Sequence, residues 1–381
     1  MATPNEEAFE AEICAWLTAH GGYDAVKDDK AQGADSDFDR ATGLDRAELL
    51  TFLGATQPRE WDELVKRYRS DPDQAQVKFR DRLAAEVDKR GVVDVLRHGV
   101  RDQGVRLRLA YFRPAHGLSE DLVAKYAANR LTVTRQLRHQ EGSGSSLDLA
   151  LLVNGIPVAT AELKNPLTGQ GAEQAMRQYR TDRDPKNRTL AQAVVHFAVD
   201  PQRVAMTTRL AGNDTRFLPF NRGHNLGPGN PPSPGGHATA YLWQRVWARE
   251  AWLDLLGRFV HVEKPGRGSK KPATVIFPRF HQWDAVRGLG QVQHHRLAGA
   301  PALHPPRRRR QGVRQGRRHH RPGGARPAAA GHHLPVRAHP RRGGAHRARL
   351  GAAGGAPTGP TPTGWSSTPR WRTWSPTRTY R

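Results

Sequence analysis

The chain has 381 residues, with 60 Lys and Arg against 36 Asp and Glu, one Cys and three Met, a length that allows two domains at roughly 100–200 residues each. A lone Cys14 excludes a disulfide framework and a cysteine-based zinc site, no apolar run approaches the roughly 18 residues of a membrane span, and the opening Met-Ala-Thr-Pro-Asn-Glu-Glu lacks a signal-peptide pattern, so a soluble cytoplasmic protein is expected. The formal charge of +24 is uneven: the last acid is Asp284, 20 Arg and no acid follow it, and residues 1–284 carry only +4.

In chain order, Phe9, Ile13, Trp16 and Leu17 recur at helical spacing before Gly21-Gly22, which predicts an amphipathic helix over 6–19 with Cys14 in its packing. A second helix is expected after Pro58 (Trp61, Leu64, Val65, Tyr68). A third runs from Pro72 to Arg90, with Val77, Leu83, Ala84 and Val87 inward. The period then becomes two at Val105, Leu107, Leu109 and Tyr111, as in a half-buried strand. Further strands are predicted at 131–137, 147–153, 156–163, 194–199 and 204–208, and helices at 119–128, 171–180 and 241–259. This mixture reads as one α/β domain around a mixed sheet. Pro- and Gly-dense 227–236 is expected as a long loop, and 263–273 as a linker. Gly-Arg-Gly-Ser-Lys-Lys within that linker has the wrong spacing for a phosphate loop, and no buried strand precedes it.

Chemistry concentrates in residues 146–164, where two apolar strands flank Asn154-Gly155, a strong hairpin signal. Asp148, Glu162 and Lys164 are embedded in them, and charge inside an apolar strand needs a reason. Glu162 and Lys164 are two apart and leave one face of the strand. Two carboxylates can hold Mg²⁺ through hard oxygen ligands while a neighbouring ammonium orients or helps deprotonate an attacking water. In an ideal two-residue hairpin, however, Asp148 pairs with Ala161 and points away from Glu162. Convergence therefore requires a β-bulge or a bend of the chain at a strand end carrying Asp148, and we expect the bulge. The plainer reading, a local Glu162–Lys164 ion pair with Asp148 capping a turn, stays open on spacing alone.

Asp148, thirteen intervening residues, then Glu162-Leu163-Lys164 resembles the PD-(D/E)XK nuclease motif. The surrounding residues resemble the R subunit of type I restriction enzymes, as do 178–185 (Gln-Tyr-Arg-Thr-Asp-Arg-Asp-Pro), 195–200, 206–212 and 217–223. The similarity spans about residues 6–287. It implies a restriction-endonuclease-like fold over 1–262, Mg²⁺ bound by Asp148 and Glu162, Lys164 assisting the attacking water, and double-stranded DNA as substrate. Methyltransferase and specificity subunits are the implied partners. The family's Gln-x-x-x-Tyr motif is matched at Tyr179, implied to be catalytic, but Ala175 stands where the Gln belongs, with Gln174 and Gln178 nearby. Glu10 corresponds to an acid supporting the metal site, or is a plain surface-helix residue. Residues 274–287 resemble the start of a RecA-like motor domain, with Gln282 reading the adenine of ATP.

Past Val286 no buried strand or Gly-Lys-Ser/Thr follows to cradle a triphosphate, so no ATPase or translocation activity is expected. Residues 288–381 are rich in Arg, Gly, Pro and His. One reading is a disordered basic tail that binds nucleic acid through phosphates, which on its own would make the chain a non-enzymatic DNA-binding protein. Spaced without pattern, its His pairs do not read as a metal site. The other reading is translation out of frame: suitable codons for Gly290–Arg296, moved by one nucleotide, encode Gly-Lys-Ser-Asn-Thr-Ile-Ala. On that reading the chain is a truncated fragment or an inactive pseudogene product, and the nucleotide sequence decides.

Overall fold

The computed structural model describes residues 4–114, 119–165, 171–233, 236–263 and 273–288. Met1–His304 form one compact unit. The second unit, Pro305–Arg381, lies outside the described residues, as do 264–272 of the expected linker and 289–381 of the expected tail.

A seven-stranded mixed sheet forms the centre. Its strands are β1 (Ala25–Asp28), β2 (Leu131–Arg138), β3 (Ser146–Val153), β4 (Ile156–Leu163), β5 (Val195–Val199), β6 (Val204–Thr207) and β7 (Leu218–Pro219), ordered in space as in sequence. β1/β2 and β4/β5 are parallel and the other pairs antiparallel. Each parallel pair needs a crossover. Residues 29–130 supply the first, including helices Arg46–Thr56, Pro58–Arg67, Pro72–Arg90 and Val92–His98, and Ala172–Thr181 with Arg188–Gln192 supplies the second. We call Pro4–Ala19 α1 and Ala172–Thr181 α2. β4 is buried along its whole length, and a strand covered on both faces reads as an unbroken apolar run.

The hairpin turns as its residues demand. Asn154 and Gly155 both have positive φ, 52° and 79°, as a type I′ turn requires. A Cβ on Gly155 would lie 2.4 Å from the Asp45 carbonyl oxygen, so only glycine fits. Two residues later the register slips: Leu152 pairs with Pro157 but Leu151 pairs with Ala159, leaving Val158 as the extra residue of a bulge. The expected bulge is therefore present, and Pro157 explains its place, since proline has no ladder donor and enters a central strand only where the ladder is interrupted.

Three elements depart from the expected pattern. Val77 is 46% exposed, because the inward face of helix Pro72–Arg90 follows Ala75, Phe79, Leu83 and Val87 and position 77 lies off that stripe. The alternating run from Val105 forms strand only to Leu107. Beyond it the Gln57 side chain takes both backbone groups of Arg108, accepting from its N–H at 2.6 Å and donating to its carbonyl at 2.9 Å. The single helix expected over 241–259 is broken at Ala248, whose ψ of 137° is extended. Flanking it are wide turns closed by Trp247 N–H to Leu242 O and Val260 N–H to Leu255 O, which accommodate the fully buried Trp243, Trp247 and Trp252. Among these rings sit Phe277, Phe280 and Trp283, so residues 274–288 pack into the same core as the sheet. Among the described residues no helix is long and apolar enough to cross a membrane.

Candidate functional site

Past the bulge, β3 and β4 pair one residue out of the ideal register, Leu149 opposite Ala161, so the next pair outward is Asp148 and Glu162. Arg135 and Leu137 of β2 pair with Leu149 and Leu147, which leaves Gln136 in the same row. Three polar residues thus lie side by side across three central strands. Gln136 has φ 47°, a left-handed backbone conformation that costs a non-glycine residue energy. The strained residue makes bonds on both sides: its amide nitrogen donates to Glu10 Oε2 at 2.8 Å and its oxygen accepts from the Ser146 hydroxyl at 2.8 Å.

A cleft of about 750 Å³ opens over this row, with Glu6, Glu10, Asp28, Lys30, Arg135, Gln136, Ser145, Ser146, Asp148, Lys164, Gln178, Asp182 and Arg183 in its walls. Asp148 is held by the Leu163 N–H, which donates to its Oδ2 at 2.7 Å. Lys164 Nζ donates to the Leu163 carbonyl at 3.0 Å and lies 3.8 Å from Glu6 Oε1. Glu162 sits beneath the wall with no exposed surface. Its Oε1 accepts from Arg183 Nε at 2.8 Å and lies 2.7 Å from Nη2, whereas Oε2 has no hydrogen-bond partner among the described residues. Burial, reinforced by Asp148 and opposed by Arg183 and Lys164, pushes the Glu162 carboxyl up to about 8. A buried carboxylate with one empty oxygen is short of a cation or a proton.

The remaining sequence candidates divide. Glu10 lines the cleft: on the inward face of α1, 2% exposed, it pairs with Arg135 and with Gln136. Its carboxyl is raised above the usual range by burial, with Asp148 adding to the effect. Tyr179, by contrast, is fully buried with Ala172, Ala175 and Met176 on one face of α2 and lies outside the cleft lining. Its hydroxyl shares a 2.7 Å hydrogen bond with Thr160, which also meets His196 Nδ1 at 2.8 Å. That face packs on the sheet, so the structure gives Tyr179 a packing place below the acids, and Gln178 on the flank reaches the cleft instead. Gln174 accepts from the Gly171 N–H and caps α2. Gln282 accepts from the Arg279 N–H at 3.0 Å, a local cap on helix 280–288. Among the described residues no three His, Cys, Asp or Glu side chains converge on a metal position; Asp148 shares the cleft wall with Glu6, Glu10, Asp28 and Asp182, and Glu162 lies beneath it.

Two residues were absent from the sequence reading. Arg183 stood inside the Gln-Tyr-Arg-Thr-Asp-Arg-Asp-Pro string without a role, and Gln136 carried no signal because its strain arises only in the folded sheet.

A comparison with curated proteins returns no match. A family model described as the type I restriction enzyme R protein N terminus matches residues 4–217, a span that holds Glu10, Gln136, Asp148, Glu162, Lys164 and Arg183. With more than half of the chain matched, and with the acids and the lysine gathered on one mixed sheet, the chain belongs to the type I restriction enzyme R protein N-terminal family.

Proposed function

We propose that the cleft hydrolyses DNA phosphodiester bonds with the help of Mg²⁺ held by Asp148 and Glu162, as the nuclease part of a restriction enzyme R subunit. The observation that carries this reading is the bulge at Val158, which moves Asp148 into register with Glu162. The unpartnered Oε2 of Glu162 fits a hard divalent cation. When bound, Mg²⁺ supplies Lewis-acid polarisation of the scissile phosphate.

The chain's own residues do the rest. Asp148 is oriented by the Leu163 N–H, which donates to its Oδ2. Lys164 Nζ stands at the cleft wall, where it orients the attacking water and offsets charge as the phosphorus gains a fifth oxygen. Lys30 and Gln178 line the same cleft and offer donors to the flanking phosphates. Following the family, the substrate is double-stranded DNA, the partners are methyltransferase and specificity subunits, and the compartment is the cytoplasm. ATP-driven translocation needs a phosphate-binding lysine that the sequence lacks, so Gln282 is at most a remnant of adenine reading.

The test is cleavage of supercoiled plasmid by the full chain with Mg²⁺ or with chelator. Metal-dependent nicking that Lys164→Ala reduces by about 10²–10³-fold, the scale of losing one oriented charge contact, supports the reading. Equal nicking by wild type and K164A, or nicking indifferent to chelator, overturns it.

A further inference from the structure

One more charged side chain is locked into the cleft. Arg183 lies just past α2 and is 4% exposed. Its guanidinium is a planar fork of five donors, and here all three nitrogens are engaged. Nε and Nη2 approach Glu162 Oε1 at 2.8 and 2.7 Å, Nη2 donates to the Ser146 carbonyl at 2.7 Å, and Nη1 donates to the Ser145 hydroxyl. Ser145 and Ser146 form part of the cleft wall and lead into the strand that carries Asp148. Arg183 therefore ties the β4 acid to the start of the β3 segment bearing the other.

The pairing is lopsided. A guanidinium and a carboxylate that only compensate each other gain most from two parallel bonds, one to each oxygen. Here both contacts end on Oε1, and the second fork position is spent on the backbone of Ser146. Half of a fully buried carboxylate is left over, which is expensive unless something else uses it.

We propose, building on the nuclease reading above, that Arg183 is a positioning residue for the divalent cation: it anchors Glu162 by Oε1, clamps the Ser145–Ser146 segment against it, and so presents Oε2 and Asp148 in one cation-binding geometry. It does not touch the cation or the phosphate.

The test is calorimetric titration of Mn²⁺ into the full chain, with thermal melting as the check on folding. Arg183→Ala weakens Mn²⁺ binding by more than tenfold in protein that still melts cooperatively. Arg183→Lys keeps the charge but offers one nitrogen in place of the fork, and weakens binding by about threefold to tenfold, a partial rescue that loss of packing alone does not produce. If R183A does not fold, R183K decides. A folded variant binding Mn²⁺ as tightly as wild type overturns the role of Arg183, whereas a wild-type chain that binds no Mn²⁺ overturns the nuclease reading itself.

Discussion

Among the described residues two carboxylates have no exposed surface, Asp29 and Glu162, and they are treated in opposite ways. Asp29 accepts from the Ser36 hydroxyl, from Arg40 Nη2 at 3.1 Å, and from the backbone N–H and Nε of Arg138 at 2.9 and 3.2 Å. Both its oxygens are spent, tying the end of β1 to the end of β2. Glu162 spends one oxygen on Arg183 and keeps the other. A carboxylate offers about four acceptor positions; filling them makes a structural staple, and leaving half unfilled leaves room for the cation proposed above.

The contrast breaks most visibly under substitution. A carboxyl pushed up to about 8 is already mostly neutral at pH 7, and Glu162→Gln keeps an oxygen for Arg183, so stability there falls by about 1–2 kcal/mol, the cost of a buried amide donor without an acceptor, while Mg²⁺-dependent cleavage falls by about 10²–10³-fold. Asp29→Ala strands two arginines and costs about 3–5 kcal/mol, the range for removing one partner of a buried pair, while cleavage per folded molecule falls far less than in E162Q. Urea unfolding and plasmid nicking on both variants read this out. Equal losses of stability and activity in the two would erase the distinction between staple and ligand.

Metal binding at varied pH sharpens it next. With its carboxyl pushed up to about 8, Glu162 holds a proton below that pH, and the cation must displace it. Apparent Mn²⁺ affinity should then rise by up to about tenfold per pH unit between 6 and 8 and flatten above, with proton release on binding. The E162Q variant should lack that slope. A flat wild-type profile over the same interval means that Glu162 is not a ligand.

Much of this was legible beforehand, and the remainder has a common physical origin. The central strands β2 to β6 and α2 follow from apolar runs and periodicity, and the hairpin arithmetic called for the bulge that Pro157 marks. Val77 and Tyr179 show the limit: whether a residue faces core or cleft depends on what the helix packs against. Tyr179 faces inward because Ala172, Ala175 and Met176 share its stripe. Strand β1 is only four residues long, Ala-Val-Lys-Asp, too short and too polar for its own pattern to betray it. Arg183 was invisible for another reason: its partners Ser145, Ser146 and Glu162 lie 21–38 residues away in the chain, and no local rule connects them.

The smallest effect concerns two histidines in which the same contrast recurs. His196 is fully buried with Nδ1 bonded to Thr160, whereas His139 is buried with Nδ1 unpartnered among the described residues. Burial lowers both, His196 to about 3, and His139 to about 4 with the Arg183 charge contributing. Each stays neutral in the folded chain while its unfolded counterpart takes up a proton near pH 6.5. Their contribution to stability is therefore complete above pH 6.5 and is lost as pH falls toward the folded values. For His139 the loss is about 1 kcal/mol at pH 5.5. Carboxylates titrate over part of the same range, so the informative quantity is the stability difference between wild type and His139→Gln in urea. That difference should hold constant from pH 8 to 7 and then shift in favour of the variant as pH falls to 5.5. If it stays constant throughout, His139 carries no buried neutral imidazole, and the burial and Arg183 charge that would hold it neutral are not felt there.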